Sequence, residues 1–446
     1  MGAKSYQYYR QSVRMDEEIS KLRFTFEQLK DTRRSNSHYT LADICMSGYA
    51  MFALKHRSML SFETQTEAER TNLKTVFGIE KLPSDTQLRT VLDTIDPTFL
   101  REELSKKFAL LRKTGIVKEF GYRIGGQTYH LLSADGVQHF SSKKNTCPCC
   151  LVKKHKNGSC TYHHQMLCVA LVHPNKREVF VMDAEPIQQQ DGLSKNDCEL
   201  NASKRLHKHL YEQYKTYTKQ YRFLILEDAL YANAPHIKII ESKSFDYIIN
   251  VKPKSHKTLF KYINQKRKRG ELKTFSFSQD DIKHEFEYLN KVLLNDSHPD
   301  LRVNFIRYVQ TDKKGKKTVF TWVTNILIRQ NKLVSIMRAA RARWKVENET
   351  FNTLTNLGYH FKHNFGHGKD HLATIFAFLM LTAFYIDQLI QLCSVHFQEL
   401  EKKTKTKLKI WESIRAIFHT TIVKSFNELY YRVAILFQIK LTRLSP

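Results

Sequence analysis

The order of strand-like and helical patterns between residues 121 and 252 limits the fold more than any other feature. Three runs rich in β-forming residues follow one another: QTYHLLSADGVQHF, YHHQMLCVALVHP and EVFVMDAEPI. A helical pattern comes next, NDCELNASKRLHKHLYEQYKTYTKQY, and then the apolar strand FLILED, the helix APHIKIIESKS and the strand FDYIINVKP. This order predicts a mixed α/β sheet that begins as a three-stranded meander.

The flanking patterns predict five consecutive regions. Apolar residues recur at helical spacing through residues 1–120, and residues 121–252 form the first part of the α/β core. Residues 253–332 start with the basic stretch KPKSHKTLFKYINQKRKRGELK and continue as strand-like pieces, which predicts a basic β-rich insertion. Residues 333–370 return to the core with a long helix from Leu333 through Asn356, and residues 371–446 read as a helical C-terminal region.

The charge balance points to a polyanionic partner. Lys and Arg number 72 against 44 Asp and Glu, for a formal net charge of +28. Basic side chains that neutralise phosphates release condensed counterions, so nucleic acid is the first expectation and an anionic membrane surface the second. An apolar fraction of 41% argues against wholesale disorder, and 15 Gly and 9 Pro exclude a collagen-like chain. We expect the helical region 1–120 to be a DNA-binding module.

The sequence indicates a protein of the cytoplasm. The N-terminal residues contain no apolar segment typical of a secretory signal, and eight cysteines are ordinary usage for a reducing compartment. One run, Leu372 to Ile386, is strongly apolar but shorter than the ~20 residues of a membrane span. We therefore expect a buried helix there, no membrane partner, and a cytoplasmic, nucleoid-associated location.

Three carboxylates are candidates for phosphoryl-transfer chemistry. Asp135 lies within the strand-like LLSADGVQHF, and Asp228 ends FLILED. A buried carboxylate is costly unless it is hydrogen-bonded or holds a cation, although a single Asp more often caps a turn or helix. Glu347 follows Arg343 by four residues, on one helix face. That pair is either a surface salt bridge or a metal-binding Glu beside a phosphate-binding Arg.

These residues carry a resemblance to a known family. From about residue 84 to residue 390 the chain resembles bacterial insertion-sequence transposases of the DDE superfamily, in the group with a β-strand insertion before the Glu. The similar stretches are LPSDTQLRTVLD, SADGVQHFSS, the CPCC stretch with HKNGSCTYHHQ, KNDCELNASKR, LEDALYAN, WVTN, RARWKVENETFNTL and GYHFKHNFGHG. The resemblance implies a ribonuclease-H-like mixed-sheet catalytic core with a β-rich insertion, flanked by helical N- and C-terminal regions.

The resemblance also implies an activity. The family's catalytic triad falls on Asp135, Asp228 and Glu347, which would hold Mg²⁺ (or Mn²⁺) for cut-and-paste cleavage and strand transfer. The partners would be double-stranded DNA, as transposon ends and target, and a second copy of the chain in a synaptic homodimer. Arg343 would bind a backbone phosphate. The family signature has a Tyr and a Lys where this chain has Ala340 and Leu354.

Two other functions share these features. A ribonuclease-H-like nuclease would use the same carboxylates to cut DNA without joining it. A domesticated, inactive DNA-binding protein would keep only the basic surface, although three intact carboxylates argue against it.

A cysteine cluster follows the Asp135 strand. Cys147 and Cys150 form a C-x₂-C pair, and the next residues supply further thiol and imidazole groups: His155, Cys160, His163 and His164. One interpretation is a structural Zn²⁺ held by Cys147, Cys150, Cys160 and His164. The other is a set of reduced thiols in a basic loop.

Several further residues have a functional and a structural interpretation. Lys266, Arg267, Lys268 and Arg269 form a basic run that is expected to contact DNA phosphates. Trp322 and Trp344 are expected to pack in the core rather than to stack on a flipped base. Glu199 is expected to cap the helix that follows the meander, and the alternative is a supporting role beside the catalytic carboxylates.

Overall fold

The computed structural model describes residues 3–34, 36–192 and 194–441. The outermost residues of the predicted regions 1–120 and 371–446 lie outside this range. The chain forms two compact units, each built from distant segments. The first unit comprises Met1–Ile116, Val137–Met166 and Thr350–Pro446, and the second Val117–Gly136 and Leu167–Glu349. The five consecutive functional regions stay a prediction.

The α-helices of the described residues are as follows: α1 (Ala3–Gln11), α2 (Met15–Glu27), α3 (Leu41–Ala53), α4 (Met59–Glu63), α5 (Glu67–Phe77), α6 (Asp85–Asp93), α7 (Thr98–Lys106), α8 (Phe108–Lys113), α9 (Ile116–Glu119), α10 (Lys195–Tyr214), α11 (Ala234–Ser242), α12 (Lys257–Lys268), α13 (Leu333–Arg341), α14 (Asn352–Asn356), α15 (Leu372–Cys393), α16 (Val395–Thr404), α17 (Lys407–Thr420) and α18 (Phe426–Leu436). Short 3₁₀ helices occupy Gln189–Asp191 and Gln330–Lys332, and a π-helix occupies Val346–Phe351.

The β-strands of the described residues are β1 (Tyr122–Ile124), β2 (Gln127–Ser142), β3 (Leu151–Lys154), β4 (Cys160–Val172), β5 (Phe180–Ile187), β6 (Phe223–Glu227), β7 (Asp246–Asn250), β8 (Lys273–Gln279), β9 (Ile282–Leu293), β10 (Arg302–Thr311) and β11 (Lys317–Thr324).

The first unit is built around the apolar helix α15. By length and composition α15 is the one described helix that could cross a membrane, yet its apolar window is completely buried in the protein. It packs against α3, α6 and α7, and α3 is itself buried from Ala42 to Ala53. The N-terminus of α15 is capped by Asp93, whose carboxylate accepts the backbone N–H groups of residues 369–372 at 2.6–3.1 Å. The predicted buried helix is therefore a core element.

The second unit contains most of a large mixed sheet. Its strands run in the order β4-β2-β6-β7-β11-β10-β9-β8, and β5 also pairs with β4. The central strands β2, β6 and β7 are parallel, whereas β11, β10, β9 and β8 are joined antiparallel. The predicted mixed α/β architecture is thus present. The strands predicted for residues 253–332 are β8 to β11, and β11 extends the same sheet through its pairing with β7.

The helix predicted from Leu333 through Asn356 is interrupted. α13 ends at Arg341, and the chain resumes as the π-helix Val346–Phe351 and the short α14. At the interruption the buried Ser133 hydroxyl donates to the carbonyl oxygen of Arg343 at 2.8 Å. The same carbonyl also accepts from the backbone N–H of Val346 at 3.3 Å, so a side chain of β2 contacts the helix backbone where the regular helix is interrupted.

Candidate active site

Two of the three candidate carboxylates lie side by side on neighbouring strands. β2 and β6 are parallel, with Ser133 opposite Leu226. Two residues further along each strand come Asp135 and Asp228, the latter immediately after the end of β6. Since neighbouring strands are about 4.8 Å apart, this register brings the two aspartates to the same place at the sheet.

The third carboxylate is connected to this pair by an arginine. Arg343 donates from Nη1 to Asp135 Oδ2 at 2.8 Å, and its Nη2 forms an ion pair with Glu347 Oε1 at 2.9 Å. Arg343 is buried, whereas the Asp135 and Glu347 side chains are 26% and 43% exposed. The guanidinium therefore bridges a strand carboxylate and a helix carboxylate that solvent reaches.

The carboxylates influence one another's protonation. Burial raises the pKa of Asp135 to about 7, and the hydrogen-bonded Glu347 adds to the rise while Arg343 opposes it. Among the described residues, the oxygens of Asp135, Asp228 and Glu347 do not all lie within 4.8 Å of one another. The structure thus brings the three residues into one neighbourhood, with the Arg343 guanidinium between Asp135 and Glu347.

A fourth carboxylate faces the same neighbourhood. Glu199 lies in the second turn of α10, and a Cβ atom at Gly136 would be 3.9 Å from its Oε1. Burial raises the pKa of Glu199, the charge of Asp228 adds to the rise, and Lys195 opposes it. The helix cap is Ser194, which accepts from the backbone N–H of Asp197. The cap interpretation of Glu199 is therefore wrong, and this residue belongs with the candidate site.

A buried network holds the strand that delivers Asp228. Glu227 accepts from His207 Nε2 at 2.9 Å and from His236 Nε2 at 2.7 Å, and all three side chains are buried. Burial raises the pKa of Glu227, but the two imidazoles outweigh it and lower the pKa to about 2. The network ties β6 to α10 and α11. The sequence analysis did not single out these residues; a charged Glu inside the apolar FLILED was the available signal.

The cysteine cluster has a different fourth member from the one predicted. In the first unit, Cys147, Cys150, His164 and His367 place one sulfur or nitrogen atom each within 4.8 Å of all the others. Cys160 lies elsewhere, opposite Lys154 at the far end of the β3–β4 hairpin. His155 Nε2 and Thr161 Oγ1 form a hydrogen bond of 2.7 Å in that same hairpin. The grouping with Cys160 is therefore replaced by one with His367, which lies within the stretch GYHFKHNFGHG.

The basic run lies at the end of α12 and just beyond it. Arg267 makes two hydrogen bonds to Glu287, at 3.2 and 2.8 Å, and Lys266 pairs with Glu271. Lys268 is exposed, and the Arg269 side chain is 70% exposed. Arg269 also pairs with Glu271 at 4.0 Å, so three of the four predicted phosphate-binding residues already have a carboxylate partner, and Lys268 is exposed.

The two tryptophans differ. Trp322 is 2% exposed on β11, which agrees with core packing. Trp344 is 53% exposed, so core packing is wrong for this residue. It lies between the end of α13 and the start of the π-helix, next to Arg343.

The donor set of the carboxylate neighbourhood fits a hard divalent cation. Asp135, Asp228, Glu347 and Glu199 offer oxygen ligands, which Mg²⁺ and Mn²⁺ prefer. Burial, and to a smaller extent the neighbouring carboxylates Glu347 and Asp228, raise the pKa values of Asp135 and Glu199. A cation bound among these oxygens would stabilise their charged forms, and such a site is chemically suited to phosphoryl transfer.

Comparisons with known proteins add little to this geometry. No protein-family model matches the chain, and no curated protein matches it. Among solved structures, the chain is similar to the piggyBac transposase in a synaptic complex with hairpin DNA, at 12% identity and a TM-score of 0.39. The alignment covers 97% of this chain and 80% of that one. A TM-score of this size is too low to carry a functional argument.

Proposed function

We propose that this chain is a DDE-type DNA transposase that cleaves transposon ends and joins them to target DNA. One observation carries the proposal: Asp135, within β2, and Asp228, directly after β6, occupy matching positions on neighbouring parallel strands, and Arg343 links Asp135 to Glu347. The strand and helix order around them, with β6 and β7 parallel to β2, supports a ribonuclease-H-like core. The net charge of +28 supports a polyanionic substrate.

The proposed metal ligands are Asp135, Asp228 and Glu347, with Glu199 beside them. When bound, Mg²⁺ or Mn²⁺ supplies charge neutralisation at the phosphodiester and makes an attacking hydroxyl easier to deprotonate. Arg343 balances the charges of Asp135 and Glu347 in the absence of a cation. If a cation were held among Asp135, Asp228 and Glu347, the planar guanidinium fork of Arg343 would be available to a DNA phosphate.

The surroundings of the carboxylates suit a DNA strand. Trp344 exposes an indole beside Arg343, and an exposed aromatic face is a stacking partner for an unpaired base. Lys268 and Arg269 add exposed basic side chains on the second unit, where Arg269 pairs with the half-exposed Glu271 at 4.0 Å. The proposal has three further parts. The helical region 1–120 reads the terminal repeats, the protein assembles as a homodimer on two ends, and it is located at the nucleoid.

The test uses purified protein and DNA carrying the inverted repeats that flank its gene. Asp135→Asn, Asp228→Asn and Glu347→Gln should each reduce end cleavage by at least about 10²-fold, while gel-shift affinity for the ends stays near that of the wild type. The matched control is Glu349→Gln, two residues along the same π-helix, whose partner Lys345 lies 3.9 Å away. Wild-type cleavage by one of the three variants would remove that residue from the site.

A second assay separates transposase from nuclease. Pre-cut ends with free 3′-OH groups should be joined to plasmid DNA in the presence of Mg²⁺. Cleavage without joining would favour the nuclease, and end binding without either reaction would favour the inactive DNA-binding protein. Affinity for DNA should fall steeply with salt, with a slope of log K against log salt of about −0.9 per neutralised phosphate. A flat dependence would exclude DNA as the main partner.

A further inference from the structure

We infer that Cys147, Cys150, His164 and His367 form a structural zinc site in the first unit. The four ligand atoms belong to three segments: the turn before β3, the strand β4, and the segment before α15. Cys150 and His367 are 217 residues apart in the chain. This site is independent of the carboxylates and of the proposed reaction.

The distances between ligand atoms match a tetrahedral zinc site. Cys147 Sγ and Cys150 Sγ are 3.7 Å apart, and each lies 3.4 Å from His164 Nε2. His367 Nε2 is 3.2 Å from Cys150 Sγ and 3.1 Å from His164 Nε2. Zinc bonds of about 2.3 Å to sulfur and 2.0–2.1 Å to nitrogen imply edges of about 3.8 Å for S···S, 3.6 Å for S···N and 3.3 Å for N···N.

The local structure explains why these four atoms meet. The backbone N–H of Cys150 donates to the carbonyl of Cys147 at 3.1 Å, which folds the C-x₂-C pair into a turn. β3 and β4 pair antiparallel with Leu151 opposite His163, so the next position in each direction places Cys150 beside His164. Since successive side chains of a strand point to opposite faces, His163 points away from the cluster.

The segment that carries His367 is shaped to bring it there. Gly366 and Gly368 have φ angles of +148° and +72°, which favour glycine on both sides of the histidine. A Cβ atom at Gly368 would overlap the Asp93 carboxylate that caps α15, so this glycine also allows the close approach of Asp93. The His367 ring packs on Phe140 of β2, with ring centroids 4.6 Å apart.

The donor set and its burial indicate a structural role. Two thiolates and two imidazoles are the soft and borderline donors that select zinc, and two thiolates balance its charge. Cys150, His164 and His367 are buried, and all four positions are supplied by the protein. A closed four-ligand site keeps no position for a substrate. The metal would instead stabilise the folded state by joining the β3–β4 hairpin to the segment before α15.

The test is elemental analysis of untagged protein purified without added metal. Wild type should contain about one zinc per chain, and so should the control Cys160→Ser. His367→Ala and Cys147→Ser should lose most of it. His367→Cys should keep a metal, and its Co²⁺-substituted form should show stronger thiolate-to-cobalt absorption than wild type, because a third sulfur replaces a nitrogen.

Each outcome decides the inference. Zinc-free wild type that takes up no Co²⁺ would overturn it, as would zinc lost in Cys160→Ser but kept in His367→Ala. Because His367→Ala could fail to fold, His367→Cys provides the folded comparison: an unchanged cobalt spectrum in that variant would exclude His367 as a ligand. None of these readouts involves DNA or cleavage, so failure here leaves the proposed transposase untouched.

Discussion

The carboxylate cluster of the second unit and the cysteine–histidine cluster of the first collect side chains from distant segments in different ways. Arg343 lies between Asp135 and Glu347, and both carboxylates remain partly exposed. The sulfur and nitrogen atoms of the other cluster touch one another and are largely buried. Charged carboxylates repel and need a counter-charge, whereas thiols and imidazoles are neutral when unliganded and can pack closely.

The difference separates two uses of metal. The carboxylate cluster is open to solvent, and an arginine neutralises its charge. Such a site is suited to a cation that binds and leaves during the reaction. A closed site of four protein ligands is suited to a metal that stays. The predictions that follow test this distinction, beginning with the largest effect.

Chelation should remove the metal of the carboxylate cluster and leave the metal of the cysteine–histidine cluster bound. Brief EDTA treatment and desalting should abolish end cleavage, and Mg²⁺ or Mn²⁺ alone should restore it, while the zinc content stays at about one per chain. Hard oxygen ligands hold Mg²⁺ weakly, whereas structural zinc sites bind with about 10–16 kcal/mol. Parallel cleavage assays and elemental analysis check this. Restoration that required Zn²⁺ would mean that the two clusters do not have separate roles.

Removal of the bridging arginine should destabilise the metal-free protein. Arg343→Gln leaves two neighbouring carboxylates without their shared counter-charge, and we expect a loss of about 2 kcal/mol in the free energy of unfolding. Mn²⁺ should recover more stability in this variant than in wild type, because the cation replaces the guanidinium charge. Urea unfolding with and without Mn²⁺ measures both quantities.

The control for that experiment is Arg341→Gln. Arg341 is exposed and donates to Gln310 Oε1 at 2.9 Å, outside the carboxylate cluster. It should show a small loss and no additional response to Mn²⁺. Equal metal responses of Arg343→Gln and wild type would contradict a shared role of the arginine and the cation.

Metal affinity at the carboxylates should depend on pH. The pKa of Asp135 is raised from 3.8 to about 7, so protons compete with the cation below that pH. The Kd for Mn²⁺ should weaken by up to about tenfold per pH unit below pH 7 and level off above it. Without metal, the pH dependence of the free energy of unfolding is opposite to that of an Asp with a lowered pKa. The stabilising contribution of Asp135 is fully present below pH 3.8 and is lost as the pH rises through about 7.

Calorimetric titration with Mn²⁺ at pH 6, 7 and 8 checks this dependence. Asp135→Asn should bind more weakly at every pH and lose the slope. The cysteine–histidine site offers the comparison, since its zinc content should not change over this range. A Kd that is constant from pH 6 to 8 would show that Asp135 is ionised throughout.

The smallest expected effect comes from Asp93, which holds the segment directly after His367. Asp93 holds residues 369–372 through four backbone N–H groups; burial raises its pKa, but these bonds outweigh it and the pKa is lowered. Asp93→Asn should cost about 1 kcal/mol, as expected for loss of a helix cap. The contribution of Asp93 is present above pH 3.8 and is lost as the pH falls through its lowered pKa.

Thermal melting of zinc-loaded and zinc-depleted protein at pH 7 and pH 3 tests this contribution. The loss in Asp93→Asn should be larger after zinc removal, because the metal also holds this segment. Asp370→Asn, with an exposed side chain in the same segment, should behave as wild type. An equal loss in both variants would point to a general sensitivity of the segment rather than to the cap.

Local patterns predicted much of the fold and part of the site. Alternating apolar residues predicted β8 to β11, and the sequence order of strands and helices predicted the mixed sheet. The positions of Asp135 within a strand and of Asp228 at the end of another were also visible in the sequence. These features follow from periodicities of about 2 and 3.6 residues, which are properties of short segments.

Contacts between distant segments decided the rest. The predicted helix is interrupted where Ser133 of β2 donates to the carbonyl oxygen of Arg343; Trp344 is exposed at this interruption, and Arg343 contacts Asp135. Nothing near Glu199 in the sequence marks its approach to Gly136. Each of these contacts joins a residue to a partner far away in the sequence. The local helical pattern alone therefore could not predict it.

In the cysteine–histidine cluster, too, some ligands follow from local sequence and one depends on a contact between distant segments. By itself the sequence determined the C-x₂-C turn and, through strand pairing, the nearness of His164, because these residues are close along the chain. Only the tertiary structure chose His367 over Cys160, since Cys160 lies at the far end of its hairpin and His367 is brought in from 217 residues away. Spacing along a chain limits which atoms can meet locally, whereas a ligand from a distant segment is selected by the packing of the whole unit.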